Sequence, residues 1–257
     1  MTKLEIFNPF NAPVYHIETV DSTMDVSRQL AAAGEPHGTV IIADFQKAGR
    51  GRIRDRSWDM EEKKGLSFTI LLRYPCVKDI PTALTLRTGL AVSLAVEDFS
   101  PVLRDRVMVK WPNDIIIGSK KIAGILCEAA DGNVRIGIGI NVAQKEFPAP
   151  LREKADSIAL AANSNIAPDE RFCLLEKILA RLSEPEITNV GDTWKPRLEQ
   201  RLYKRGERAV FIEGIAGSDT AIKGCIAGIG GGGELLIIPE GEIHARSFIT
   251  GELNFIP

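Results

Sequence analysis

An arginine-rich segment in the first quarter of the chain carries residue types suited to binding anions. From Gly49 the sequence reads GRGRIRDRSW, in which four arginines alternate with glycine and other residues before Trp58. Arginine pairs bidentately with carboxylate and phosphate oxygens, and glycine lets the backbone approach an anion closely. The segment therefore suits a substrate that carries both a carboxylate and a phosphate. A solvated basic loop or an arginine-rich nucleic-acid patch would have the same composition.

Two short segments between residues 110 and 126 combine lysine with a carboxylate or with glycine. The first, KWPND, runs from Lys110 to Asp114 after a β-type run, and a carboxylate there could hold Mg²⁺ beside a nucleotide phosphate. A hairpin corner with a surface ion pair is the alternative. The second, KKIAGIL, begins with Lys120 and Lys121, whose side chains point to opposite faces of a strand. One of these lysines must face the covered side and needs an anionic partner, which a bound carboxylate or phosphate would supply.

A glycine-rich strand, GIGIN, ends at Asn141. Its glycines alternate with isoleucine, so one side of the strand is bare of side chains. It lacks the third glycine and the strand–turn–helix context of a dinucleotide fingerprint. The amide of Asn141 offers a donor and acceptors, as reading an adenine edge requires. A strand packed closely against another backbone is the alternative.

The hydrophobic pattern predicts the elements that position these segments. Ser22 and Thr23 open a capped helix that ends at Gly34, and Gly118-Ser119 forms the turn of a hairpin over 114–126. The other predicted elements are strands at 38–45, 65–73, 106–110 and 133–142, a loop at 46–64, and helices at 79–99, 169–182 and 193–204. Short β-type runs at 208–213, 220–228, 234–239 and 242–248 predict a small SH3-like barrel. We therefore expect two domains, 1–205 and 206–257.

The composition excludes several classes of protein. The 257 residues have a net charge of -2, which gives no general reason to expect a nucleic-acid or membrane partner. The four cysteines and three histidines lack the spacing of zinc ligands, so reduced thiols are expected. The sequence shows no signal-peptide pattern and no apolar run long enough to span a bilayer. These features predict a cytoplasmic protein.

Together, and in this order, the segments resemble the catalytic domain of the biotin protein ligases. The resemblance extends from Ser22 to Asn141 and is carried by Ser22-Thr23, Gln46, GRGR, KWPND, KKIAGIL and GIGIN. The β-rich end of the chain is similar to the C-terminal domain of that family. The resemblance implies an α+β fold of the class II synthetase-like, biotin–lipoate ligase type, with a mixed sheet, flanking helices and a C-terminal SH3-like β-barrel.

The resemblance also implies an activity and its substrates. Members of the family join biotin to ATP as biotinyl-5'-AMP, with Mg²⁺, and transfer biotin to a lysine of an apo biotin carboxyl carrier protein, commonly that of acetyl-CoA carboxylase. A homodimer is an expectation from the family alone. Some members carry an N-terminal winged helix that binds DNA. Here the matching pattern begins within about 20 residues, fewer than such a domain needs, so we expect no operator binding.

Particular residues inherit roles from the resemblance. Those implied for biotin are Ser22, Thr23, Met24, Gln46, Arg50, Gly51, Arg52, Lys121 and Gly124. Those implied for the nucleotide are Gly49, Arg50, Arg52, Trp58, Lys110, Asn113, Gly137 and Asn141. Arg52, Lys121 and Asp114 are the implied catalytic residues, and Asp114 is also the candidate Mg²⁺ ligand. Lys121 corresponds to the lysine that lies between the carboxylate of biotin and the α-phosphate.

Two departures from the family pattern affect the loop. The family loop commonly reads GRGRxGRxW, whereas this loop is one residue longer, which leaves the placement of Arg56 and Trp58 open. After Trp58 the chain continues with the acidic segment DMEEKKGLSF, which leaves the shape of the biotin side-chain channel open. A lipoate or octanoate transferase or ligase is the alternative enzyme, and a non-enzymatic nucleic-acid binder is the alternative of another class. The pair of GRGR and KWPND favours the biotin ligases.

Overall fold

The computed structural model describes residues 1–52, 58, 60–188, 191, 193–214 and 221–255. The first sheet contains β1 (Thr2–Leu4), β2 (Val14–Val20), β3 (Thr39–Gln46), β4 (Gly65–Arg73), β5 (Val107–Lys110), β6 (Asp114–Ile117), β7 (Lys120–Ala130) and β8 (Asn133–Asn141). The helices are α1 (Thr23–Ala32), α2 (Leu84–Phe99), α3 (Ile158–Ala161), α4 (Glu170–Leu182), α5 (Pro185–Thr188) and α6 (Trp194–Gln200). The second sheet contains β9 (Arg208–Glu213), β10 (Ala221–Ile229), β11 (Leu235–Pro239), β12 (Arg246–Phe248) and β13 (Gly251–Asn254).

The first sheet is mixed and has the strand order β1-β2-β3-β4-β8-β7-β6-β5. Strands β2 and β3 run parallel, as their connection through α1 requires, and the other neighbours are antiparallel. The helices α2 and α4 pack together, and α2 lies on β5, β6 and β7. Isoleucines 136, 138 and 140 of β8 are buried in the aliphatic core. The predicted mixed sheet with flanking helices is confirmed.

The second sheet is antiparallel and has the strand order β12-β11-β10-β9-β13. Its side chains join the same buried core as those of the first sheet. Trp111, in the turn after β5, donates from Nε1 to Gly233 O at 3.0 Å, and its ring centroid lies 6.0 Å from that of Phe211. The expectation of a β-rich C-terminal segment is confirmed, whereas its closure as an SH3-like barrel and the boundary at residue 205 stay predictions. Within the described ranges, no helix has both the length and the hydropathy for a membrane span.

Two helices are shorter than the sequence pattern predicts. A single 3-10 turn covers Val77–Asp79, and α2 starts only at Leu84 because Ala83 adopts a left-handed φ of 56°. Helix α6 ends at Gln200 because the following backbone pairs with β5 instead. Val109 N donates to Arg201 O at 2.8 Å, and Tyr203 N donates to Val109 O at 2.9 Å. Strands β1, β2 and β13 were not predicted.

A buried cluster of charged side chains connects α4 with strands β2 and β3. Asp44, on β3, is 2% exposed; its Oδ1 lies 2.8 Å from His16 Nε2 and also accepts a bond from Arg171 Nη2. Burial alone would raise the pKa of Asp44, but the hydrogen bonds from His16 and Arg171 outweigh it and hold that pKa below its ordinary value. The cluster thus holds β3 two residues before Gln46.

Replacing Asp44 by asparagine is expected to lower the free energy of unfolding by about 3 kcal/mol, because it leaves buried Arg171 without its carboxylate. Urea denaturation would measure the loss. Asp98→Asn is the control: Asp98 pairs with Arg181 at 2.7 Å on the partly exposed surface and should cost less than about 1 kcal/mol. Equal losses for the two variants would contradict a special role for the buried cluster.

The same cluster predicts a dependence of stability on pH. A carboxylate whose folded pKa is lowered contributes fully above its unfolded pKa of about 4, and its contribution is lost as the pH falls through the folded value. The difference in unfolding free energy between the wild type and Asp44→Asn should therefore shrink between pH 5 and pH 3, each an approximate bound. A difference that stayed constant over that range would contradict the charged state of Asp44.

Candidate functional site

A cavity of about 580 Å³ lies between the two sheets. Its lining comes from the start of α1, the end of β3, the arginine loop, strands β6, β7 and β8, and strand β13. The structure brings together fourteen predicted site residues in this lining: Ser22, Thr23, Met24, Gln46, Arg50, Gly51, Arg52, Trp58, Lys110, Asn113, Asp114, Lys121, Gly124 and Gly137. The two other predicted residues, Gly49 and Asn141, lie outside the lining.

A polar corner forms where α1 meets the end of β3. Ser22 is the N-cap of α1 and accepts from Met24 N at 3.3 Å. Thr23 donates to Gln46 Oε1 from its backbone N at 2.8 Å and from its Oγ1 at 3.1 Å. Thr69 of β4, which the sequence did not single out, donates to Thr23 Oγ1 at 2.8 Å. Because Gln46 Oε1 accepts twice, the amide of Gln46 is oriented to present its Nε2 as a donor.

Glycines form a floor without side chains beside this corner. A Cβ at Gly137 would lie 2.9 Å from Met24 Sδ, and one at Gly139 would overlap the ring of Trp58. A Cβ at Gly124 would lie 3.1 Å from Lys121 Nζ. The alternating glycines predicted a bare face on β8, and the structure confirms it. Gly139 itself was not among the predicted site residues.

The base of the arginine loop is closed by a backbone hydrogen bond. Trp58 N donates to Gly49 O at 2.9 Å, and a Cβ at Gly49 would lie 2.5 Å from Trp58 O. Glycine is therefore required at this neck, which explains the contribution of Gly49 although it does not line the cavity. The bond places the ring of Trp58 on the glycine floor. Arg56 and the rest of 53–57 lie outside the described residues.

The two arginines at the start of the loop contact opposite walls of the cavity. Arg50 donates from Nη1 and Nη2 to both carboxylate oxygens of Asp25, each at 3.0 Å. The hydrogen bond to Asp25 raises the pKa of Arg50. Arg52 donates from Nη2 to Gly251 O, in the second sheet, at 2.9 Å. Sequence reasoning missed Asp25 and Gly251, since neither belongs to a motif.

Lys121 is paired inside the chain. Its Nζ lies 2.6 Å from Asp114 Oδ1 and 5.5 Å from the ring centroid of Trp58. Asp114 is therefore an anionic partner of Lys121 within the protein. A β-bulge explains the direction of the side chain: the register between β6 and β7 shifts between the pairs Ile115–Ala123 and Ile116–Lys121. The extra residue turns Lys121 to the same side as Gly124.

Three residues predicted to contact the nucleotide have side chains engaged within the protein. Asn113 donates from Nδ2 to Ile125 O at 2.9 Å and so braces the hairpin. Lys110 Nζ lies 5.4 Å from the ring centroid of Phe255. Asn141 is 5% exposed; it donates to Asp156 O at 3.0 Å and accepts from Gln144 at 3.2 Å. These contacts are structural ones that sequence motifs do not reveal.

Some of the lining comes from segments that no motif marked. Leu151 and Lys154 line the cavity because Lys121 N donates to Lys154 O at 2.8 Å, which ties their segment to β7. Residues 251–254 of β13 line it from the second sheet. No local signal in the sequence could place these residues at the site, because only the tertiary fold brings them to it.

The carboxylates of the cavity bear on the question of a metal. Among the described residues, no group of three or more histidine, cysteine, aspartate or glutamate side chains could hold a metal ion. Asp114 lines the cavity, where Lys121 holds it. Mg²⁺ is commonly bound by one or two carboxylates together with water and substrate phosphates. The residues present therefore fit a magnesium ion that arrives with a polyphosphate.

Comparison with known proteins identifies the family. The model of the biotin/lipoate A/B protein ligase family matches residues 16–144, half of the chain. The chain belongs to this family. The matched residues include the polar corner, the arginine loop, the KWPND hairpin and the glycine floor. The match therefore covers most of the cavity lining, whereas Leu151, Lys154 and residues 251–254 lie outside it.

Individual relatives support the biotin branch of the family. The chain is 39% identical over 173 residues to the bifunctional ligase/repressor BirA of Bacillus subtilis, covering 65% of this chain and 51% of that protein. It is 33% identical over 172 residues to a biotin–[acetyl-CoA-carboxylase] ligase of Mycobacterium tuberculosis, covering 64% of this chain and 62% of that one. The chain thus spans between half and two thirds of the length of these curated relatives.

The fold is similar to solved structures over nearly its whole length. The biotin protein ligase from Aquifex aeolicus in complex with biotin and ATP has a TM-score of 0.77 and 28% identity, covering 94% of this chain and 97% of that chain. The similarity includes the second sheet, because the 6% of this chain outside the alignment is much shorter than that sheet.

Replacing Gly139 by alanine is expected to displace the ring of Trp58, because the added Cβ would overlap it. The free energy of unfolding should change by less than about 1 kcal/mol, since a loop side chain rather than the sheet must move. With all three tryptophans labelled as 5-fluorotryptophan, the ¹⁹F resonance of Trp58 should shift and that of buried Trp194 should not. Gly231→Ala, where a Cβ meets nothing within 4 Å, is the control. An unmoved Trp58 resonance would contradict the geometry of the floor.

Proposed function

We propose that the protein is a biotin protein ligase, which forms biotinyl-5'-AMP from biotin and ATP and transfers biotin to a lysine of a carrier protein. The observation that carries this proposal is the single cavity in which a polar corner, a glycine floor and Lys121 follow one another. Biotin presents three groups in the same order: a polar ureido ring, an apolar tetrahydrothiophene ring with its aliphatic chain, and a carboxylate.

The polar corner matches the ureido ring. The ring offers two N–H donors and one carbonyl, and the corner offers the hydroxyls of Ser22 and Thr23 together with the Nε2 donor of Gln46. The tetrahydrothiophene ring and the aliphatic chain would lie on the glycine floor between Met24 and Trp58. The carboxylate would then reach Lys121. A site built to satisfy buried hydrogen-bonding groups discriminates strongly against an analogue that lacks them.

The cations of the cavity suit the first chemical step. A carboxylate oxygen of biotin forms a bond to the α-phosphorus of ATP, and the bond from that phosphorus to pyrophosphate breaks. Two anions must approach each other, so the positive charges of Arg52 and Lys121 lower their repulsion and stabilise the charge that grows on the phosphoryl oxygens. Lys121 would exchange Asp114 for these oxygens as the substrates enter. Arg50, Lys110 and the backbone at Gly49 are the further contacts proposed for the nucleotide.

The same cavity would hold the metal ion and accommodate the second chemical step. Mg²⁺ would neutralise the polyphosphate, with Asp114 as its candidate protein ligand. In the second step a carrier lysine attacks the acyl carbon of the mixed anhydride, AMP leaves, and the lysine nitrogen loses its proton as the amide forms. The loop and Trp58 would cover the anhydride and exclude water until the carrier arrives.

The relatives support a choice of carrier. The relative from Mycobacterium tuberculosis is named as a biotin–[acetyl-CoA-carboxylase] ligase, and we infer that the apo carrier protein of such a carboxylase is the substrate here. The repressor activity in the name BirA is not part of the proposal. A cytoplasmic location, a homodimer, the SH3-like closure of the second sheet and the adenine role of Asn141 remain predictions from the sequence.

The first test is transfer itself. Incubating the protein with biotin, Mg-ATP and an apo biotin carrier domain should add one biotin mass to one lysine, and the addition should require ATP. Lipoate in place of biotin is the second arm. Clear preference for lipoate would contradict the proposal and favour a lipoate ligase.

Lys121→Gln is expected to slow biotin-dependent exchange of pyrophosphate into ATP by about 100-fold or more, because it removes a charge that stabilises the phosphoryl oxygens. The matched control is the neighbouring Lys120→Gln. Lys120 donates from Nζ to Arg152 O at 2.8 Å and is absent from the cavity lining. Equal exchange rates for the two variants would count against the role of Lys121.

Arg52→Gly is expected to release the adenylate into solution. The substitution removes the contact to Gly251 O and one positive charge beside the phosphate. Biotin labelling of bystander proteins should rise, and the off-rate of biotinyl-5'-AMP should increase about tenfold, the size expected for losing one charge-assisted hydrogen bond. An unchanged off-rate without bystander labelling would contradict this role.

A further inference from the structure

The segment Arg50-Gly51-Arg52 bridges the mouth of the cavity. Arg50 is bound to Asp25 on α1, which lies against the first sheet, and Arg52 is bound to Gly251 in the second sheet. One end of this bridge uses a backbone carbonyl. The other end uses a carboxylate, and Asp25 is therefore the one side chain of the bridge that could be changed without altering the loop itself.

The contact between Asp25 and Arg50 has a well-defined geometry. Two parallel N–H···O bonds of 3.0 Å form the bidentate arrangement that holds a guanidinium in one orientation. Asp25 lies in the first turn of α1, where the helix dipole favours a negative charge. It directly follows Met24, which packs on the glycine floor. The carboxylate thus holds the guanidinium of Arg50 beside the start of α1.

A chain of alternating charges continues from Asp25, whose Oδ1 contacts both Arg28 and Arg50. Arg28 lies 3.1 Å from Asp25 Oδ1 and 3.3 Å from Glu128 Oε2, and Arg135 lies 3.7 Å from that same Glu128 oxygen. Because Arg28 contacts both carboxylates, its positive charge offsets the repulsion between Asp25 and Glu128. Asp25 bonds directly to Arg50, and the charge of Glu128 also acts on Arg50 through space.

We propose that Asp25 is a positioning residue for the ligase reaction, holding Arg50 so that the segment Arg50-Gly51-Arg52 stays beside the cavity and retains the adenylate between the two steps. This inference rests on the proposed function. Asp25 needs no contact with biotin or ATP in this role, because it acts through the guanidinium of Arg50. Its loss should therefore change retention of the intermediate more than the rate at which the intermediate forms.

The test compares Asp25→Asn with two further variants. Asp25→Glu keeps the charge and should behave within about twofold of the wild type. Arg28→Gln removes the other partner of Asp25, leaves Arg50 paired, and is the matched control. The off-rate of biotinyl-5'-AMP should rise about fivefold in Asp25→Asn, which corresponds to the upper range for a partly exposed ion pair. The KM for biotin and the rate of pyrophosphate exchange should stay within about twofold.

The salt dependence of the biotinyl-5'-AMP off-rate distinguishes the positioning role of Asp25 from a purely structural one. The wild-type off-rate should increase as NaCl is raised from about 0.05 M to about 0.5 M, because salt screens an exposed pair. Asp25→Asn should respond much less, since its pair is already lost. Equal off-rates in wild type and Asp25→Asn, or equal responses to salt, would overturn the inference.

A second measurement separates this inference from the proposed function. Trypsin cleavage after Arg50 in the ligand-free protein should be about fivefold faster in Asp25→Asn than in the wild type or in Arg28→Gln. This rate depends on how Arg50 is held and not on any activity. Unchanged cleavage would overturn the positioning role even if biotin transfer is confirmed. Faster cleavage in a protein that forms no biotinyl-5'-AMP would overturn the proposed function and with it the role of Asp25 in the reaction.

Discussion

The cavity depends on one strand having two unlike faces. On β8, isoleucines 136, 138 and 140 are buried in the core, while Gly137 and Gly139 leave the opposite face without side chains. A strand with side chains on both faces would leave little room for a ligand between the two sheets. Helix α1 can approach the strand closely enough for Met24 to contact Gly137, and the ring of Trp58 can rest on Gly139. The polar corner and the loop neck are both placed by these two contacts.

Cationic side chains at the cavity have partners within the protein. Each cation proposed to meet a phosphate is already paired within the protein: Lys121 with Asp114, Arg50 with Asp25, and Arg52 with a backbone carbonyl. An unpaired cation in a partly covered site would destabilise the fold, whereas a paired one is stable, and Lys121 can exchange Asp114 for a more highly charged anion. Because the pairs already orient these cations toward the cavity, little reorganisation should accompany binding.

Sequence patterns predicted the parts of the fold that depend on local order. The bare face of β8, the hairpin turn at Gly118-Ser119 and the cap at Ser22 follow from spacing alone, and the structure confirms them. The direction of Lys121 did not follow, because a bulge in β7 breaks the simple alternation of side chains. The roles of Asp25, Lys154 and residues 251–254 depend on contacts between distant segments. The late start of α2 depends on the left-handed Ala83, which the helical spacing of its neighbours conceals.

The contact between Arg52 and Gly251 also affects how variants of the second sheet should be interpreted. The acceptor is a main-chain oxygen, so every side-chain replacement along β13 leaves it in place. A mutational scan of residues 252–254 would therefore not detect this contact even if it is essential, and losses at Leu253 would reflect its burial in the core. At Gly251 itself a Cβ would overlap the ring of Phe211, so damage there would reflect core packing instead. Side-chain substitutions in the second sheet therefore cannot test the contact between Arg52 and Gly251. Replacing the Gly251 carbonyl itself, for example by an ester or thioamide, would test it.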